Sequence, residues 1–188
     1  MKDDELTAIL DVVRTPERPG ETLEERVALL EAHRTITDLV MLYGWLCDAR
    51  RWDELLDHYT DDFERTLLGT LDERLKGKDK LREVYERPQL PRKDDATAGP
   101  PPAEQLNTYE LRHLIHPPVV RVADDGQTAL VAAVYSLVAS SGDGSTFRRG
   151  EHEGGYIFGM RREPDGRWRF ASMTVISENA RNPLFSVA

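Results

Sequence analysis

The chain has 188 residues and a formal net charge of −9, and its single cysteine is Cys47. That length suits one domain with a short extension, and one cysteine excludes an internal disulfide or a multi-cysteine zinc site. The acidic balance gains nothing from counterion release, and the arginine pairs 50–51, 148–149 and 161–162 are isolated, so neither nucleic acid nor a membrane surface is an expected partner.

Residues 3–14 place Leu6, Ile9, Leu10 and Val13 at helical spacing. The Thr15–Gly20 stretch, with Pro16 and Pro19, breaks that helix. Thr22 is a good N-cap for a second helix reaching about Cys47, with a stripe of Ile36, Leu39, Val40, Tyr43, Leu46 and Cys47. A short helix follows over 52–59, then a strand over 63–68 and a helix over 80–86. Residues 87–108 hold five of the chain's 11 prolines and read as a long insertion or lid.

The rest reads as β structure. Residues 111–123 are extended, with a kink at Pro117-Pro118. Asp125-Gly126 and Asp165-Gly166 are turn signals between strands over 128–140, 147–162 and 167–177. Period-2 alternation puts His152, Gly154, Tyr156, Phe158 and Met160 on the core-facing side of one strand. In the last strand it groups Trp168, Phe170, Ser172 and Thr174 on one face. Helices first and hairpins second predict an α+β fold with helices packed on one face of a curved sheet. The longest apolar-rich run, 131–139, is interrupted by Ser136 and is far short of the ~20 residues that span a bilayer. The acidic start lacks the apolar stretch of a secretion signal, so a cytoplasmic protein is expected.

The five histidines are the natural acid–base groups. His33 and His58 lie on helices and read as surface or packing residues. His113 opens a strand beside the insertion, and His152 lies on a core face. Either fits a hydrogen-bonded core histidine or a working base. Asp48 follows the apolar stripe directly and, by spacing, is an N-cap candidate for the next helix. His113, His116, Glu151, His152 and Glu153 are metal-type ligands, but neighbours in that set point to opposite strand faces, so no metal is expected. No Gly-x-Ser-x-Gly elbow, phosphate-binding loop or Gly-x-Gly-x-x-Gly fingerprint occurs. Cys47, on an apolar stripe, reads as an inert core thiol.

The segments Ile36-Thr37-Asp38-Leu39, Tyr43, Cys47-Asp48-Ala49-Arg50-Arg51-Trp52-Asp53-Glu54-Leu55 and Tyr59-Thr60-Asp61-Asp62-Phe63 together resemble the opening of SnoaL-like domains in the nuclear transport factor 2-like superfamily. Gly77-x-Asp79-x-Leu81, Arg112-His113-Leu114-Ile115-x-Pro117, the Asp124–Ala129 turn and Arg162-x-x-Asp165-Gly166-Arg167-Trp168-Arg169-Phe170 resemble later parts of the pattern, in order, over residues 30–177. The resemblance implies a cone-shaped, mostly antiparallel sheet around N-terminal helices, with a pocket at the open end. It divides the chain into an extension 1–25, a domain 26–180 carrying the 87–108 insertion, and a tail 181–188.

In the scytalone dehydratase and dehydrochlorinase branch, an aspartate after the first long helix pairs with a histidine at a strand start. Asp48 and His113 match those positions, and His152 and Tyr43 resemble the further acid groups. The resemblance then implies an apolar pocket walled by Trp45, Trp52, Tyr59, Phe63, Leu67, Tyr135, Tyr156, Phe158 and Met173. The chemistry it implies is a lyase or isomerase, of dehydratase or cyclase type, working without a cofactor on a hydrophobic cyclic small molecule such as a polyketide, aromatic, steroid or terpenoid. Homodimers or higher homo-oligomers are implied in the same way. The superfamily also contains non-catalytic β subunits of ring-hydroxylating dioxygenases, whose tails are similar to Arg181-Asn182-Pro183-Leu184-Phe185 of this chain, and plain ligand-binding modules. These stand as alternatives.

Overall fold

The computed structural model describes residues 3–68, 73–86, 110–140 and 147–177. Its first element is α1 (Asp3–Arg14), followed by the long helix α2 (Leu23–Asp48). A capping box starts α2. Thr22 Oγ1 accepts the Glu25 N–H at 3.1 Å, and the Glu25 carboxylate accepts the Thr22 and Glu21 N–H groups at 3.1 and 2.8 Å, which satisfies donors the helix cannot. The face buried by α2 is Ile36, Val40, Tyr43, Gly44, Leu46 and Cys47, with Leu39 half-buried, close to the expected stripe. The short helix α3 (Trp52–Asp57) follows.

The strands are β1 (Tyr59–Leu68), β2 (Glu73–Lys76), β3 (Glu110–Ile115), β4 (Val119–Val122), β5 (Thr128–Ser140), β6 (Phe147–Arg162) and β7 (Trp168–Ser177), with α4 (Lys78–Glu86) between β2 and β3. They form one curved, open sheet in the order β2-β1-β7-β6-β5-β3, with β4 also paired to β5. Every pairing is antiparallel except β1 with β7. Fold class is therefore α+β, as expected. Strand β2 has no counterpart in the sequence reading, and the first strand starts at Tyr59 rather than Phe63. Pro117-Pro118 does more than kink an extended segment. It divides that segment into β3 and β4, both laid along the 13-residue β5, with Ile115 opposite Tyr135 and Val119 opposite Ala132.

Alternation holds in β6, where Gly154, Tyr156, Phe158 and Met160 are all buried. It fails in β7. The register slips between Gly159 and Met160, leaving Ala171 as an extra residue, and such a bulge turns the later side chains over. Trp168 and Phe170 point inward before it, and Met173 and Val175 after it, while Ser172 is exposed.

The N-terminal segment packs on its own chain. α1 lies across β4, β5 and β6 with Val12 buried. A Cβ on Gly155 would overlap Ile9 Cδ1, so the glycine makes room for the helix. Arg121 donates from Nε to the Thr15 carbonyl and from Nη2 to the Val13 carbonyl, both at 2.8 Å, satisfying acceptors at the end of α1. Glu17 accepts the Val122 N–H at 2.7 Å and bonds His33 Nε2 at 2.8 Å, which gives His33 its partner. The 87–108 insertion and the 181–188 tail lie outside the described residues. Among the described residues no helix is long and apolar enough to cross a membrane.

Arg121→Ala removes both carbonyl contacts and is expected to release α1 without unfolding the sheet. Limited trypsin digestion should then cut after Arg14 several-fold faster, with the melting temperature of the core little changed. Equal cutting rates would show that α1 is held by apolar packing alone.

Candidate functional site

The site begins where α2 stops. Arg50 adopts φ +54°, and the chain folds back so that Arg50 N–H reaches the Cys47 carbonyl at 3.1 Å and Arg51 N–H the Leu46 carbonyl at 2.9 Å. This is a helix-ending turn usually made with glycine. A side-chain-bearing residue there costs about 1–2 kcal/mol. Asp48 is the last residue of α2, and no basic residue occupies the last turn. A carboxylate at the negative end of a helix is locally unfavourable, so its partner must come from elsewhere.

That partner is β3, which lies at the end of the strand order. The outward N–H of His113 is not taken by a sheet ladder, and it donates to Asp48 Oδ1 and Oδ2 at 3.1 and 3.0 Å. The ring adds a second contact, Nδ1 to Oδ1 at 2.6 Å. Both side chains are only 11% exposed. Asp48 therefore does not cap α3, whose N-cap is Arg51 with no side-chain bond. An ionised carboxylate only accepts. The Nδ1 position facing it must then carry a proton, so in the neutral tautomer Nε2 is the accepting nitrogen.

Gly44 makes the approach possible. A Cβ there would sit 3.0 Å from Ile115 Cδ1 and 3.2 Å from the Cβ of His113. One helical turn before Asp48, the missing side chain lets α2 lie close against β3.

Tyr43 sits on the other side of His113, with ring centroids 5.9 Å apart at 72°. It makes further edge contacts with Tyr156 and Phe158 at 5.7 Å each and with Phe170 at 6.1 Å. Burial, reinforced by Cys47 and Tyr156, pushes its phenol well above the ordinary tyrosine range. It is a neutral hydrogen-bond donor. Tyr59 Oη meets Tyr85 Oη at 3.1 Å. Burial first, and the neighbouring Asp48 charge after it, push the Cys47 thiol up to about 12, against the hydrogen bond from Tyr43. At neutral pH it is an inert thiol.

The structure thus brings together Asp48, His113, Tyr43 and Tyr156, with Tyr135 stacked on Tyr156 at 4.1 Å. Other expected wall residues need correction. Trp45 is 69% exposed, because it lies on the far side of α2 from the buried stripe. Tyr59, Phe63, Phe158 and Met173 are sealed in the core, at 0–1% exposure, rather than bordering open space. Trp52 and Leu67 are half-buried, Trp52 stacking flat on Tyr85 at 5.0 Å. His152 pairs with Leu137 in the register, as His113 does from the other side, but its side chain lies outside the described residues.

Two residues near this cluster escaped the sequence reading. Tyr85 comes from α4, and Arg65 from the inward row of β1. Their signals were present: a tyrosine on an amphipathic helix, and a charge between Phe63 and Leu67 in a period-2 row.

A cleft of about 750 Å³ lies elsewhere, between the 18–35 segment and the turns at Asp124–Gln127 and Gly166–Trp168. It is lined by charged surface groups such as Arg18, Glu25, Asp125 and Arg167, so the chemistry points to the dyad and not to this cleft. Among the described residues no group of three or more His, Cys, Asp or Glu side chains is placed to hold a metal.

Gly44→Val would overfill the contact between α2 and β3. It is expected to cost about 1–3 kcal/mol in urea unfolding and to broaden or remove the low-field Nδ1–H proton resonance of His113. Gly44→Ala should stay within about 1 kcal/mol, since better helix propensity offsets the tight contact. An unchanged His113 resonance in a folded Gly44→Val protein would show that the dyad does not depend on this approach.

No curated protein matches the chain. Solved structures do. An NTF2-like protein with a cystatin-like fold from Novosphingobium aromaticivorans aligns with TM-score 0.62 at 22% identity, over 84% of this chain and 90% of the other. A candidate scytalone dehydratase from the same organism gives 0.60 at 14%, over 80% and 87%. The β subunit of benzoate 1,2-dioxygenase from Burkholderia mallei gives 0.56 at 18%, over 77% and 89%. At these identities the likeness is one of fold. The family model for the SnoaL-like domain matches residues 28–174, which contain Asp48, Tyr43 and His113, and the chain belongs to that family.

Proposed function

We propose that the protein is a lyase or isomerase that moves a proton on a cyclic small molecule, with His113 as base and Asp48 as the group that holds it. The observation carrying this reading is the double engagement of Asp48, at 2.6 Å on the ring and 3.0–3.1 Å on the amide of the same histidine. A structural carboxylate needs only one of these bonds. Two of them fix both the position and the tautomer of the ring.

The step follows from that geometry. Nε2 takes a proton from a carbon beside a carbonyl, and the C–H electron pair moves into an enolate. The imidazolium formed is balanced by Asp48. The neutral phenol of Tyr43 donates to the enolate oxygen. The enolate then either expels a β-hydroxyl, which leaves as water after taking the proton from His113, or is reprotonated at another carbon. The aromatic rings of Tyr43, Tyr135 and Tyr156 beside the dyad favour a ring-shaped substrate. Leu114, Leu130 and Val134 are about half exposed on the outer sheet face, at 48%, 45% and 51%, which supports self-association there.

A second reading, a β-type subunit of a larger oxygenase, draws on the dioxygenase neighbour. It gives Nε2 no task. Deuterium incorporation into 2-tetralone in D₂O, followed by NMR, separates the two. The wild type should exceed the buffer rate. His113→Ala and Asp48→Asn should each lose about 10²–10⁴-fold, the latter because an amide N–H facing Nδ1 moves the ring proton onto Nε2. Folded variants that keep the full rate would sink the acid–base reading.

Light scattering of the purified chain is expected to give a dimer or larger homo-oligomer, and Val134→Lys to shift it toward monomer. A monomeric wild type removes the outer face from the proposal.

A further inference from the structure

Arg65 is a cation that the dyad chemistry leaves unused. In β1, Phe63 is buried and Arg65 and Leu67 are half-buried, while Glu64 faces out and pairs with Lys76 at 2.8 Å. Arg65 pairs with Met173 of β7 in the strand register. Its side chain is largely out of water. Its Nε atom is fully buried and has no hydrogen-bond partner among the described residues.

What surrounds it is unusual for a buried guanidinium. The groups acting on it are the phenols of Tyr85, Tyr43, Tyr59 and Tyr156. Burial raises each of them above the ordinary tyrosine range, so all four are neutral. Phenol oxygens solvate a cation in part but bring no opposite charge. The Asp48 carboxylate is committed to His113. Arginine does not escape by losing its proton, and a buried charge without a counter-charge is costly. A guanidinium fork with a free, buried N–H is the arrangement that takes an anionic oxygen in two parallel bonds.

Tyr43 links the two ends of this interior. It touches the His113 ring at 5.9 Å and is one of the phenols around Arg65. We propose that Arg65 anchors an anionic oxygen of the substrate, a carboxylate or an ionised phenol on the ring system, so that the reacting carbon is presented to His113. The substrate class is then an acidic cyclic compound, not a neutral one. This rests on the cone interior being the substrate site. It does not require that any particular reaction follow.

The test is binding, read by isothermal titration on the full chain with two probes of equal shape, 2-naphthoate and 2-naphthalenemethanol. The wild type should bind the carboxylate at least tenfold more tightly than the alcohol. Arg65→Met should bring the two within twofold, and Arg65→Lys should keep part of the preference, since it keeps the charge and loses the fork. His113→Ala should keep the whole preference, so a failure of the catalytic reading leaves this result standing. In ¹⁵N spectra of the wild type, naphthoate should move the Arg65 Nε–H signal and the alcohol should not, which serves if Arg65→Met does not fold. Equal affinity of the two probes for the wild type, no binding of naphthoate, or a preference that survives in folded Arg65→Met overturns the proposal. So does a fall in stability of that variant with the preference intact, which would make Arg65 a purely structural cation.

Discussion

The carboxylate of Asp48 joins the end of the long helix to the edge strand of the sheet. Three hydrogen bonds meet on it, and two of them come from the backbone amide of His113. An edge strand carries unpaired N–H groups that must find partners. Here one finds a side chain 65 residues away, and the same contact orients the imidazole. Gly44 sets how close the two elements come, and the left-handed turn at Arg50 sets where the chain goes next. Moving either would misplace the ring before it changed the fold.

The interior is built from rings that carry oxygen atoms. Tyr43, Tyr59, Tyr85, Tyr135 and Tyr156 supply apolar area through their faces and polar tips through their hydroxyls. A buried hydroxyl without a partner is costly, and several of these meet one another, as Tyr59 and Tyr85 do at 3.1 Å. Phenylalanine at the same positions would pack without needing that network. The hydroxyls therefore make an interior that is stiff and able to donate hydrogen bonds.

Much of the architecture was legible in the residues. The stripe of α2, the alternation of β6 and the Asp-Gly turns each follow from one-dimensional periodicity, and the helix-then-hairpin order follows from them. The β7 faces did not, because a single extra residue at Ala171 inverts everything after it and leaves no mark in the alternation before it. Trp45 was misplaced for the opposite reason. Its size suggests burial, yet two residues from Tyr43 is about 200° around a helix, on the wrong side. Spacing favoured a helix cap for Asp48, since a helix wheel reports burial against a core and not a carboxylate turned toward a strand edge. Only the family pattern distinguished it from a cap. Arg65 sits at an inward position of a strand whose neighbours are apolar, a local inconsistency that the sequence displays and periodicity alone does not explain.

The places where this chain departs from local rules lie close together. A negative side chain ends a helix at its negative pole, a residue with a side chain takes the turn that glycine prefers, and an arginine is drawn inward with its buried Nε unpartnered among the described residues. Each costs stability, and no better packing follows from any of them. Elsewhere the same chain obeys the rules closely, with a complete capping box on α2 and an arginine on the last carbonyls of α1. Scattered departures would indicate a poorly optimised fold. Departures gathered around one histidine and one inward-facing cation indicate a site whose geometry is held by the surrounding core. On that argument the charges of Asp48 and Arg65 are held against local preference by one core, and Tyr43, packed edge-on against His113, belongs to the surroundings of both.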